Sequence, residues 1–213
     1  MTRVKICGIK RPETLALLAE LEVDYAGFVF APSKRKVEAA AAGSLLAAVP
    51  GHPPAVGVFV NPTLAELDEV LGQVPLAVIQ LHGQEEPEYC RQVRERYSVP
   101  VWKALAVGGE EDAAVVIGRY AAAVDAFLFD TYDPSQAGGT GKRFSWEQIA
   151  VLQEACRDKA CIIAGGINAG NVHELVQRYQ AAMIDVSSGV ETDGEKDAEK
   201  IKTLVERVRA HVG

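Results

Sequence analysis

Two side chains in this 213-residue sequence are placed to pass protons: Cys7, which closes the run Val4-Lys5-Ile6, and Asp130, which closes Ala126-Phe127-Leu128-Phe129. A thiolate near cationic groups acts as a base or nucleophile. A carboxyl partly withdrawn from water resists ionising and serves as a general acid. Each also has a plainer reading, the thiol as a small buried apolar group and the carboxyl as a loop cap, and the residue types alone leave both open. A third kind of chemistry is written in glycine and serine. Ala164-Gly165-Gly166-Ile167 and Val186-Ser187-Ser188-Gly189-Val190 each end an apolar run, and turns with little side chain let backbone N–H groups converge on an anion. Arg35, within Lys34-Arg35-Lys36, carries the planar fork that suits a carboxylate.

The elements that must hold these residues follow from the hydrophobic period. Short β-branched runs alternate with Ala/Leu/Glu-rich stretches eight times, with no Ser/Gly-rich linker between them. The predicted strands are Val4 to Cys7, Tyr25 to Phe30, Ala55 to Val60, Ala77 to His82, Val101 to Ala106, Ala126 to Thr131, Cys161 to Gly165 and Met183 to Ser187. The predicted helices begin near Pro12, Val37, Thr63, Glu85, Glu110, Ser145, Asn168 and Glu195. Eight units in this length leave about 27 residues each, near the lower bound for a (β/α)8 barrel. An open doubly wound sheet normally has five or six strands. The fold class is therefore α/β: a single (β/α)8 (TIM) barrel over residues 1–213, compact with few insertions.

In such a barrel the site forms at the C-terminal ends of the strands, with a recurrent phosphate position at the loops after strands 7 and 8. Cys7, Asp130, His82, Gly165, Gly166, Ser187, Ser188 and Gly189 all fall there. Strand alternation also turns Gln80 inward with His82, Lys103 with Leu105, and Asp185 with Ser187. Buried lysines need carboxylates, and Asp185 on the neighbouring strand is the expected partner of Lys5. The longest connection, Tyr132 to Phe144, holds Gly138-Gly139-Thr140-Gly141 and reads as a lid, with Gly139 and Gly141 grouped among the phosphate and sugar contacts.

Several classes are excluded. The formal net charge is −7 and no basic stripe is present, which argues against a nucleic-acid partner. No apolar run approaches the length of a membrane span. The opening Met1-Thr2-Arg3-Val4-Lys5-Ile6 has no signal-peptide pattern, and a cytoplasmic location is expected. Four cysteines without CxxC or Cys/His clustering form neither a disulfide scaffold nor a zinc site. Cys7-Gly8-Ile9-Lys10 is not a dinucleotide fingerprint, and Gln136 and Arg143 break a Walker A reading of the later glycines. Two enzymatic readings and one binding reading remain: acid–base catalysis by Cys7 and Asp130, a Schiff-base aldolase using Lys103, and a silent barrel that binds a phosphometabolite.

Eight segments, in order along the chain, resemble the phosphoribosylanthranilate isomerase family of tryptophan biosynthesis. They are Val4-Lys5-Ile6-Cys7-Gly8-Ile9, Gly27-Phe28-Val29-Phe30 with Ser33-Lys34-Arg35, Gly57-Val58-Phe59-Val60-Asn61, Gln80-Leu81-His82-Gly83, Asp130-Thr131, Gly138-Gly139-Thr140-Gly141-Lys142, Ala164-Gly165-Gly166-Ile167-Asn168 and Asp185-Val186-Ser187-Ser188-Gly189-Val190-Glu191. The resemblance implies an Amadori rearrangement of N-(5-phosphoribosyl)anthranilate to 1-(2-carboxyphenylamino)-1-deoxyribulose 5-phosphate, without metal or cofactor. It implies Asp130 as the general acid at the ribose ring oxygen and Cys7 as the general base at C2. It further implies Arg35 at the anthranilate carboxylate and the loops after strands 7 and 8 at the phosphate. Gln80 and His82 would line the pocket. Lys36 departs from the family pattern, which carries a more apolar or aromatic residue there. The partner expected is a small phosphorylated molecule, with a monomer or a homodimer equally compatible.

Overall fold

In the computed structural model, residues 1–107, 111–131, 145–157 and 159–210 are described. Eight parallel strands close into a barrel in sequence order: β1 (Arg3–Cys7), β2 (Tyr25–Val29), β3 (Ala55–Phe59), β4 (Val78–Leu81), β5 (Val101–Val107), β6 (Ala126–Thr131), β7 (Ala160–Ile163) and β8 (Met183–Val186). Eight helices alternate with them: α1 (Pro12–Glu20), α2 (Ala39–Ala48), α3 (Leu64–Leu71), α4 (Pro87–Tyr97), α5 (Ala113–Tyr120), α6 (Ile149–Cys156), α7 (Val172–Gln177) and α8 (Ala198–Arg209). No helix among the described residues is long and apolar enough to cross a membrane.

Local chemistry sets several helix starts. Pro12 and Pro87 open α1 and α4, where a missing N–H costs nothing. Thr63 and Glu66 form a reciprocal capping box on α3, and the Asp197 carboxylate accepts from the Glu199 and Lys200 amides at the start of α8.

The alternation of the strands builds two apolar layers. Val56, Val78, Trp102, Ala104, Ala126, Leu128, Ile162 and Met183 fill the barrel, while Ile6, Phe28, Ile79, Phe127, Phe129, Ile163 and Ile184 face the helices. Trp102 meets Tyr25 edge to face inside the barrel, with centroids 5.0 Å apart.

This register corrects the expectation for β5. Trp102 and Ala104 pair with Ala126 and Leu128 and share their inward face, so Lys103 and Leu105 point outward. Lys103 is satisfied there by Glu85 at 3.0 Å and by the carbonyls of Gly83 (2.8 Å) and Ala104 (3.0 Å). The other inward assignments hold, and the predicted Lys5–Asp185 pair is present.

A second correction falls at Glu195. A helix was expected to begin there, but Glu195 belongs to a two-stranded hairpin of β9 (Glu191–Thr192) and β10 (Glu195–Lys196). Asp193 and Gly194 both have positive φ at its tip, the Asp-Gly signature of a tight two-residue turn. Helix α8 starts three residues later.

Candidate active site

A cavity of about 330 Å³ opens at the C-terminal ends of the strands. Cys7 reaches it from the end of β1 and Asp130 from near the end of β6, three strands away around the ring. A ligand in the cavity would therefore meet the two side chains from different sides.

Cys7 is buried, and burial pushes its thiol pKa above the ordinary value; the Lys5 charge pulls it down, Asp185 pushes it up, and Lys196 pulls it down. Lys5 lies two residues earlier on the same face, its Nζ 2.8 Å from Asp185 Oδ2. Burial opposes the charge on Lys5, yet Asp185 and then Cys7 outweigh it, so its pKa stands above that of a free lysine. The thiol thus sits beside an ammonium group that stays charged.

Asp130 accepts from its neighbour's amide, Thr131 N to Oδ1, at 2.7 Å. Its other oxygen stands 3.6 Å from His82 Nε2, and His82 Nδ1 lies 3.0 Å from Gln80 Nε2. With Gln80 donating to Nδ1, the ring's own proton lies on Nε2, facing Asp130. The parity of β4 thus brings Gln80 and His82 into one chain of contacts with the carboxyl.

Gly165 shows why the loop after β7 is built of glycine. Its φ is +82°, and a Cβ there would stand 2.8 Å from Asp130 Oδ1. Gly166, Ser187 and Ser188 line the same wall. Gly189 does not; a Cβ on it would overlap the Ile167 carbonyl, so it sets how closely the loops after β7 and β8 pack. Gly139 and Gly141, with the rest of the expected lid, lie outside the described residues.

The opposite wall is apolar: Val29, Ala31, Pro32, Val58 and Val60. It does not depend on Lys36, which points outward to Glu38 at 2.8 Å. Arg35 lies beside this wall, but one edge of its guanidinium is already taken by Glu191, with Nε to Oε1 at 2.8 Å and Nη2 to Oε2 at 2.9 Å. Lys196 donates to Glu191 at 2.6 Å and to the Ser187 carbonyl at 3.0 Å, and Ser187 Oγ donates to the Cys7 carbonyl at 3.0 Å. Sequence reading assigned Glu191 and Lys196 no role, although the Asp193-Gly194 turn signal between them is present in the sequence.

Two acceptors on the cavity wall, Gln80 Oε1 and Asp185 Oδ1, are buried without a partner among the described residues. Native interiors rarely leave such atoms unpaired, and a ligand with N–H or O–H groups would satisfy them. Among the described residues no cluster of three or more His, Cys, Asp and Glu is arranged to hold a metal ion.

Fold and cavity together define a (β/α)8 barrel with a cavity at its C-terminal face, where enzymes of this fold hold their active sites. A family model for N-(5'phosphoribosyl)anthranilate (PRA) isomerase matches residues 4–207. The chain belongs to this family, the aldose–ketose isomerases of tryptophan biosynthesis. It is 74% identical to an isomerase of that name from Brevibacillus brevis, over 99% of this chain and 95% of the relative. The identity is 41% to one from Clostridium acetobutylicum, over 98% of each. The crystal structure of the Thermotoga maritima enzyme superposes with a TM-score of 0.86 at 34% identity, covering 99% of this chain and all of that one. A further structure, at TM-score 0.84 and 33% identity over 99% of this chain and all of its own, is of such an isomerase in complex with reduced 1-(o-carboxyphenylamino)-1-deoxyribulose 5-phosphate.

Proposed function

We propose that this isomerase carries out its Amadori rearrangement of phosphoribosylanthranilate with Asp130 as general acid and Cys7 as general base. The observation that carries the assignment is their projection into one cavity from strands three steps apart. Asp130 protonates the ribose ring oxygen as the C1–O bond breaks, leaving a protonated Schiff base between C1 and the aryl nitrogen. Cys7, as thiolate, removes the proton on C2 and gives an enolamine. Protonation at C1 and loss of the C2 hydroxyl proton complete the ketose, 1-(2-carboxyphenylamino)-1-deoxyribulose 5-phosphate. Lys5 and Lys196 reduce the cost of the thiolate by their charge.

The aryl ring lies on Val29, Ala31 and Val58, with its carboxylate on the free edge of Arg35. Amides of the loops bearing Gly165, Gly166, Ser187 and Ser188 hold the phosphate, as is usual for loops 7 and 8 of such barrels. Gln80 Oε1 and Asp185 Oδ1 take up hydrogen bonds from the sugar hydroxyls or the aryl N–H. No step calls for a cofactor. One chain supplies every group named, so the site is complete in a monomer or a homodimer; one structural relative consists of monomers generated from the dimeric enzyme of Thermotoga maritima. A base that must remain a free thiol suits the cytoplasm.

The test is the fluorescence decay of freshly prepared phosphoribosylanthranilate. A decay rate proportional to protein concentration is expected, and a rate equal to that of buffer alone would overturn the proposal.

A further inference from the structure

We infer that Glu191 is a positioning residue for Arg35, fixing which edge of the guanidinium meets the substrate's aryl carboxylate. This rests on the role given to Arg35 above.

Arg35 stands in the loop between β2 and α2, where neither helix nor strand fixes a long side chain. What fixes it comes from the other side of β1. Glu191 opens the hairpin after β8 and meets Arg35 through two parallel hydrogen bonds, at 2.8 and 2.9 Å. Both side chains are almost wholly enclosed, with 10% and 7% of their surfaces exposed. Glu191 is anchored in turn by Lys196, its neighbour across the hairpin, at 2.6 Å. Burial works against its charge, but the bonds from Arg35 and Lys196 prevail and hold its pKa down to about 2. The carboxylate is therefore ionised throughout the working pH range.

A guanidinium has five N–H donors arranged in a planar fork. Glu191 takes Nε–H and one Nη2–H. The other edge, Nη1 with the second Nη2–H, keeps the geometry for two parallel bonds to a carboxylate. Glu191 thus commits one edge and presents the other.

Charge alone makes the opposite prediction. The cluster of Arg35, Lys196 and Glu191 carries a net charge of +1, and Glu191→Gln would raise it to +2. A purely electrostatic account expects that variant to bind the carboxylate more tightly; positioning expects it to bind more weakly.

The experiment compares dissociation constants of the reduced product analogue and of the same compound lacking the aryl carboxylate, by calorimetry, in wild type and in Arg35→Met, Glu191→Gln, Glu191→Asp and the Arg35→Met/Glu191→Gln double variant. The wild type should prefer the carboxylated ligand. Glu191→Gln should lose at least tenfold of that preference, raising KM far more than it lowers kcat. The double variant should lose no more preference than Arg35→Met alone. Glu191→Asp keeps the charge but withdraws the carboxylate by one methylene, so it should lose preference in the same direction. Full or increased preference in either Glu191 variant, with preference lost in Arg35→Met, overturns the inference and leaves the Arg35 role standing. Preference retained in Arg35→Met removes that role and the inference with it.

Discussion

Lys5 and Asp185 are register partners across the β1–β8 pairing, and the wholly buried ammonium of Lys5 lies 2.8 Å from Asp185 Oδ2. The pair stands directly below Cys7. It keeps a positive charge next to the thiol and leaves Asp185 Oδ1 on the cavity wall without a partner among the described residues.

Removing one member strands the other. Asp185→Ala should cost about 3–5 kcal/mol, read from the midpoint of urea unfolding, because it leaves an uncompensated buried cation. Lys5→Met combined with Asp185→Leu should recover most of that loss. A midpoint for Asp185→Ala equal to wild type would mean that the ammonium finds another partner.

The acid and base should separate from binding. Cys7→Ala and Asp130→Asn should each lower turnover by roughly 10²–10⁴-fold, the usual contribution of a positioned acid or base, while the affinity for the reduced product analogue stays within a few fold. Stopped-flow fluorescence and calorimetry on the same preparations measure both. Normal turnover in either variant removes that residue from the mechanism.

The thiol's surroundings set a pH dependence. Burial raises the Cys7 pKa above the ordinary value of 9.0, so the protonated form persists at neutral pH and thiolate accumulates only on the alkaline side. Alkylation of Cys7 by iodoacetamide, followed by peptide mass spectrometry, should be slow near neutrality and rise as pH climbs past that value. Lys196→Met, which removes a charge favouring the thiolate, should move the rise to still higher pH. A fast, pH-independent reaction near neutrality would show instead that the charges of Lys5 and Lys196 outweigh burial at the thiol.

Lys103 should give no Schiff base. Its ammonium is held on the outer face by Glu85 and three carbonyls, with Tyr120 alongside. Borohydride added during turnover should leave Lys103 unmodified by mass spectrometry; an adduct there would restore the aldolase reading.

The sequence made the strand ends legible because a strand has only two faces. Once Ala126, Leu128 and Asp130 were put on one side, the Phe rings had to take the other. The same rule failed at β5 because it fixes the alternation and not its phase. Taking Lys103 as inward ignored that Trp102, with a larger apolar ring, fills the barrel beside Tyr25. The planar fork of Arg35 suits a carboxylate, but its tie to Glu191 spans 156 residues and no local period links the two. The hairpin that brings Glu191 and Lys196 together is marked by Asp193-Gly194, and a helix start placed at Glu195 cuts it in two.

The bonds that finish the site join the first strands to the segment after the last. Ser187 reaches Cys7 across 180 positions, Lys5 reaches Asp185 across the same span, and Glu191 reaches back to Arg35. A chain still emerging from the ribosome can thread seven strands and own neither an anchored arginine nor a supported thiol. Under the proposed mechanism catalytic competence requires the ring to shut, and the onset of turnover during refolding should report the formation of these long-range contacts.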